Sequence, residues 1–129
     1  MTIKNEWPPN IEKIRAVFDL SGKKPVFTWG EILYNPHNCE IPEHLKIHEE
    51  IHSKQQVNPE VWWKRYLEDD KFRLEQELEA YQAQYQYIKR LVKDRNTVAK
   101  FLYAIASDLA SPMYGGIISF DEAYKKIKQ

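Results

Sequence analysis

His48-Glu49-Glu50-Ile51-His52 is the stretch on which the reading of this chain turns. Its pattern is H-E-x-x-H. Upstream, Pro42 can open a helix and Glu43 falls in its first turn. Leu45, Ile47 and Ile51 recur until Asn58-Pro59 breaks the run near Gln56, so the stretch reads as helical. On a helix, residues four apart lie one above the other on the same face, so the imidazoles of His48 and His52 can reach a single ion. Glu49 points about 100° away around the axis. From there it can reach a water beside the ion without being a ligand itself.

Two histidines hold a metal poorly, and a catalytic site normally adds a third protein ligand. The remaining histidines are His37 and His44. His44, His48 and His52 form a line about 12 Å long on one helix, too long for one ion to bind both ends. The glutamates of Glu75-Gln76-Glu77-Leu78-Glu79-Ala80-Tyr81 are better candidates, and helical phase separates them. Leu74, Leu78, Tyr81, Tyr85, Ile88 and Val92 make one apolar stripe at spacings of three and four. Measured from the middle of that stripe, Glu75 falls near about 100°, Glu79 near about 140° and Glu77 near about 60°. Only Glu77 sits at the edge of the buried face, where a carboxylate can meet a metal held between two helices. Glu75 and Glu79 read as solvated charges.

His48-Glu49-x-x-His52 followed by Glu77-x-x-Ala80 resembles the gluzincin metallopeptidases, whose third ligand is a glutamate on a downstream helix. It looks most like their minimal forms, the ImmA/IrrE-type domains and the minigluzincins of phage and bacterial genomes. The resemblance covers roughly residues 26–90, with a looser likeness at Ala106–Met113. It implies a zinc site (Zn²⁺) made by His48, His52 and Glu77, with Glu49 as the general base. It also implies a protein or peptide substrate whose peptide bond is cut by activated water. Tyr81, Tyr85 and Tyr114 are candidates for the donor that stabilises the tetrahedral intermediate. Two departures carry expectations. Lys46, Glu50 and Lys54 put charge within and beside the motif and should face water. Tyr81 stands where those domains have Asp or Asn, so the group that orients a ligand histidine is either missing or supplied from elsewhere. A zinc-binding structural or interaction domain without hydrolysis is the alternative, and an interaction module without metal a third reading.

The rest of the chain supplies the frame. Asn10 precedes a short amphipathic run with apolar residues at 11, 14, 17 and 18, which predicts a capped helix. Val26–Tyr34 is rich in β-formers and predicts one strand or two, the second case being a hairpin about Trp29-Gly30-Glu31. Its edge could pair with an extended peptide. Further helices are predicted over Val61–Leu67, Asp70–Val92 and Thr97–Ala110, and a last one runs from Ser119 to Ile127. Residues 1–10 read as irregular. The whole predicts one mostly helical α+β domain, 1–129, zincin-like, with a short β-strand element before the metal helix.

Composition narrows the classes. Lys plus Arg equals Asp plus Glu at 19 each, which argues against binding nucleic acid through bulk charge. The single cysteine, Cys39, rules out an intrachain disulfide framework. Its position before the motif makes it a small half-buried hydrophobe or, as a thiolate, a fourth metal ligand. The first residues hold no apolar run of the signal-peptide kind, and nothing approaches a membrane span of roughly 18 apolar residues. A cytoplasmic protein is expected. The aromatic share of 13% fits rings in the core or tyrosine hydroxyls lining a cleft.

Overall fold

The computed structural model describes residues 1–129 and is a mostly helical α+β fold. Three short strands, β1 (Thr2–Lys4), β2 (Phe27–Trp29) and β3 (Ile32–Tyr34), form a sheet in the order β1-β3-β2. Six helices accompany it: α1 (Ile11–Val17), α2 (Glu43–Gln55), α3 (Pro59–Glu68), α4 (Asp70–Leu91), α5 (Arg95–Leu109) and α6 (Phe120–Lys128). A 3₁₀ turn, Pro112–Tyr114, links the last two.

The hairpin β2–β3 is antiparallel, with Thr28 opposite Leu33. Gly30, at φ 60°, occupies the first of its two turn positions, the place a type II′ turn gives to glycine. β1 was expected to be irregular and is instead a strand, parallel to β3, with Ile3 opposite Leu33. All three of its residues are exposed, so main-chain pairing holds it and no apolar alternation marks it.

Four of the six helix starts are set by side chains, whereas α1 lacks the Asn10 cap its sequence predicts, because the buried Asn10 amide bonds to nothing. The Asn58, Asp69, Asp94 and Ser119 side chains accept from the main-chain N–H of Val61, Phe72, Thr97 and Glu122, satisfying donors that a first turn leaves free. The Asp94 cap starts α5 two residues earlier than Thr97. Pro59 opens α3 just after its cap.

Two hydrophobic clusters form around this frame. One joins α4, α5 and α6 through Leu102, Ile105, Ala106, Leu109, Ala123 and Ile127, with Tyr81 and Tyr85. The other joins α1, the hairpin and α3 through Ile14, Phe27, Tyr34, Trp62, Trp63 and Tyr66. α2 packs along α4, and its only buried residues are His48, Glu49 and His52. The charges that interrupt the motif face water: Glu50 and Lys54 are exposed, and half-buried Lys46 pairs with Glu43. No helix is long and apolar enough to cross a membrane.

Candidate metal centre

α2 and α4 bring four side chains together. His48, Glu49 and His52 form a buried group whose donor atoms lie within 4.8 Å of one another and could hold a metal ion. Glu77 approaches both histidines more closely than Glu49 does. Its Oε1 lies 3.1 Å from His48 Nε2 and 3.2 Å from His52 Nε2, and the two Nε2 atoms are 3.2 Å apart. Glu49 Oε2 is 3.8 Å from His48 Nε2. Its Oε1 accepts from the Thr28 hydroxyl at 3.0 Å, which ties it to β2. Glu77 is 3% exposed, whereas Glu75 and Glu79 lie at the surface.

The hydrogen bonds on the far side of each ring decide what the three converging atoms are. His48 Nδ1 faces Gln84 Oε1 at 2.9 Å, and His52 Nδ1 faces Gln55 Oε1 at 2.8 Å. An amide oxygen can only accept, so with Gln84 and Gln55 turned this way each ring carries its proton on Nδ1 and presents a lone pair at Nε2. Two imidazole lone pairs and a carboxylate oxygen therefore meet with no hydrogen among them. Such a triangle calls for a cation at its centre. Its edges suit one: ligands about 2.0–2.1 Å from a tetrahedral zinc stand about 3.3 Å apart. Without metal, a proton is the only cation to hand. Burial pushes the His52 pKa down, but contact with the Glu77 carboxylate outweighs it and raises the value to about 9. Glu77 is likewise pushed up by burial, and His52 and His48 then bring it below the usual carboxylate range.

The surroundings are also engaged. The Tyr66 hydroxyl donates to Glu77 Oε2 at 2.6 Å, holding the oxygen that faces away from the histidines. Burial and the Glu77 charge keep that phenol protonated, its pKa well above the ordinary value. Arg73, 3% exposed, donates to the main-chain carbonyls of Tyr66 and Tyr114 and to the Asp70 carboxylate. A Cβ on Gly115 would stand 3.1 Å from its guanidinium, and Gly115 has φ 95°, so the turn after Tyr114 takes glycine on both counts. The Tyr81 ring lies edge-on to His48, with centroids 4.5 Å apart. Its hydroxyl pairs with that of Tyr114 at 2.8 Å.

A cavity of about 100 Å³ adjoins the four residues. Phe18, Leu20, Val26, Trp62 and Met113 contribute apolar wall, and Thr28, Tyr66 and Tyr114 contribute hydroxyls. Of the three tyrosines weighed as donors, Tyr114 borders this cavity, Tyr81 sits behind it and Tyr85 belongs to the aliphatic core. Cys39 does not line the cavity, and its main chain is bound to the Asn35 side chain. The outer edge of β2 is already taken. The Gln56 amide accepts from Gly30 N–H at 2.7 Å and donates to the Thr28 carbonyl at 2.9 Å. Trp63 Nε1 donates to the same carbonyl. A peptide adding a strand there would have to displace both side chains.

Several participants escape a search for apolar periodicity. Arg73, Glu77 and Gln84 are buried along one side of α4, a polar line beside the stripe of leucines and tyrosines. Gln84 lies seven residues beyond Glu77 and so on the same helix face, which is the signal that could have found it. Tyr66 and Thr28 carry no such mark.

Compared with known proteins, the chain matches no family model, no curated protein and no solved structure. The likeness to gluzincins rests on the residues themselves.

Proposed function

We propose that the chain is a zinc-dependent metallopeptidase in which His48, His52 and Glu77 hold the ion and Glu49 is the general base. The observation that carries this reading is the triangle of three lone-pair donors, 3.1 to 3.2 Å on each edge, with a second carboxylate, Glu49, beside it. Glu77 is preferred to Glu49 as the third ligand because it is near both histidines and its second oxygen is fixed by Tyr66. Glu49 is bound by Thr28 and stands one step back from the histidines, the place of a group that handles protons.

Held by His48, His52 and Glu77, zinc would supply Lewis acidity, polarising a carbonyl and lowering the pKa of a water towards about 7. Glu49 accepts the proton of the attacking water and returns it to the leaving amine, so that one peptide bond and one water become a carboxyl group and an amine. Tyr114 is the donor placed to hydrogen-bond the oxyanion. Burial and the Glu77 charge keep its phenol protonated. Thr28 holds the Glu49 carboxylate in one orientation throughout.

A second reading keeps the metal and drops the hydrolysis, and one observation favours it. Gln56 and Trp63 cover the strand edge beside Glu49, and all four central residues are 7% exposed or less. The test of both readings is metal content and hydrolysis in wild type, His48→Ala, Glu77→Ala and Glu49→Gln. One zinc per chain is expected in wild type and Glu49→Gln, and none in the other two. Cleavage of a mixed protein substrate by wild type and not by Glu49→Gln supports the peptidase. Equal cleavage by both, or none by either, leaves the non-hydrolytic zinc domain. Wild type that takes up no zinc after reconstitution removes both.

A further inference from the structure

Each candidate ligand histidine is held by a glutamine, and each glutamine is itself held from behind. Gln84 is 4% exposed; its Oε1 accepts from His48 Nδ1, and its Nε2 donates to His44 Nδ1 at 2.8 Å. Gln55 Oε1 accepts from His52 Nδ1, and its Nε2 donates to the Gln76 carbonyl at 3.1 Å and to Glu79 Oε1 at 2.7 Å. These rear contacts settle which way Gln55 points. Two acceptors stand behind it, so its nitrogen faces them and its oxygen faces the histidine. Metal-bound histidines commonly give their second N–H to a carboxylate or carbonyl, which fixes the ring and raises its basicity. Here both acceptors are neutral amides.

We propose that Gln84 and Gln55 are the positioning residues of the metal centre, and that only Gln84 can be replaced by a carboxylate. This rests on the reading of His48, His52 and Glu77 as a metal site. The asymmetry comes from what stands behind each amide. Behind Gln84 is an imidazole, His44, whose neutral ring can carry its proton on either nitrogen. With Gln84→Glu, His44 moves that proton to Nδ1 and donates to the new carboxylate, which still accepts from His48. Every hydrogen bond survives, and the ligand imidazole gains a stronger acceptor. Behind Gln55 are a carbonyl and a carboxylate, which can only accept. With Gln55→Glu, two carboxylates and a carbonyl would face one another with no hydrogen between them.

The test is zinc affinity by chelator competition for wild type, Gln84→Ala, Gln84→Glu, Gln55→Ala and Gln55→Glu. It is paired with nitrogen NMR of the imidazole tautomers in the zinc-free proteins. Both alanine variants should bind zinc about 10–100-fold more weakly than wild type, the usual cost of losing such a partner. Gln84→Glu should bind at least as tightly as wild type, and Gln55→Glu should weaken like its alanine counterpart. In Gln84→Ala, His48 should lose its preference for the Nδ1–H tautomer, a change that general loosening of the fold would not confine to one ring. Alanine variants with wild-type affinity overturn the proposal, and so does equal affinity in the two glutamate variants. If an alanine variant fails to fold, the two glutamate variants still decide the asymmetry. Wild type that binds no zinc instead overturns the metal reading on which this stands.

Discussion

The two hydrophobic clusters of the molecule are built from different materials. The one between α4, α5 and α6 is largely aliphatic, with Leu102, Leu109, Ala106 and Ile127 at 2% exposure or less. The one between α1, the hairpin and α3 is largely aromatic, and three of its rings end in polar atoms that are engaged. Trp63 Nε1 donates to Thr28, Trp62 Nε1 to Gln76, and the Tyr66 hydroxyl to Glu77. Every buried polar or charged residue of the chain lies between Asn10 and Gln84, and none lies in α5 or α6. The difference has a physical reason. Aliphatic side chains offer nothing to a buried carboxylate, whereas a ring with a polar tip excludes water along its body and donates at its end. The aromatic half can therefore wall a buried polar centre, while the aliphatic half anchors the helix that carries Glu77.

Zinc gives the largest separation between the two halves. At free zinc about a thousandfold above its dissociation constant, wild type should gain about 4 kcal/mol in urea unfolding. Glu77→Ala should abolish that gain. Leu109→Ala, in the aliphatic cluster, should lose about 2–5 kcal/mol with or without zinc and keep the gain intact. If Leu109→Ala also loses the zinc-dependent gain, the two halves are not energetically separate, and the division drawn between them fails.

The same division explains which features could be read from the chain. The aliphatic helices announce themselves by periodicity, and the β-forming residues on either side of Gly30 mark strand without deciding between one strand and two. The H-E-x-x-H spacing marks α2, and the phase of α4 distinguishes Glu77 from Glu75 and Glu79 because only geometry along one helix is needed. What stays hidden depends on contacts across elements. Tyr66 reaches Glu77 from α3, Thr28 reaches Glu49 from β2, and Gln84 joins His48 to His44. No spacing along the chain encodes the first two, and the seven residues from Glu77 to Gln84 mark only a shared helix face. Arg73 is concealed differently, since a charged residue in a helix is ordinarily taken for surface, yet its guanidinium holds two main-chain carbonyls in the interior. β1 leaves no trace because both its faces are exposed.

The pH dependence of the zinc-free protein offers a sharper comparison, with an effect on the order of 3 kcal/mol. His52 has its folded pKa raised from 6.5 to about 9 by Glu77 against the opposing effect of burial. The stability this contributes is complete below about pH 6.5 and disappears as pH rises through about 9. Glu77 is shifted the other way, with burial opposing and the two histidines prevailing. Its contribution is complete above its ordinary value of 4.5 and disappears as pH falls through the lowered one. Urea unfolding across pH should thus give a plateau from about 4.5 to 6.5 and a decline towards 9. Leu109→Ala should move that profile down without changing its shape, because Leu109 is fully buried in the aliphatic cluster and neither His52 nor Glu77 belongs to it. Zinc bound as proposed would take the place of the proton at His52 and should remove the alkaline decline. A decline that persists at saturating zinc would mean that another group is responsible.

The smallest expected effect tests the junction between sheet and centre. Thr28 is 2% exposed, and its hydroxyl donates to the Glu49 carboxylate at 3.0 Å. Thr28→Val keeps the shape and removes one charge-assisted hydrogen bond, at a cost of about 1–2 kcal/mol. Zinc affinity should not change, because neither histidine nor Glu77 touches this residue. Hydrolysis, if Glu49 is the base, should fall about tenfold in kcat with KM unchanged, well short of the 10²–10⁴ that a general base is worth. A carboxylate free to turn remains a base but spends less time aimed at the water. An unchanged kcat with the same loss of stability would make the Thr28–Glu49 bond a structural tie between β2 and α2. A fall in zinc affinity would instead place Glu49 among the ligands, alongside or in place of Glu77.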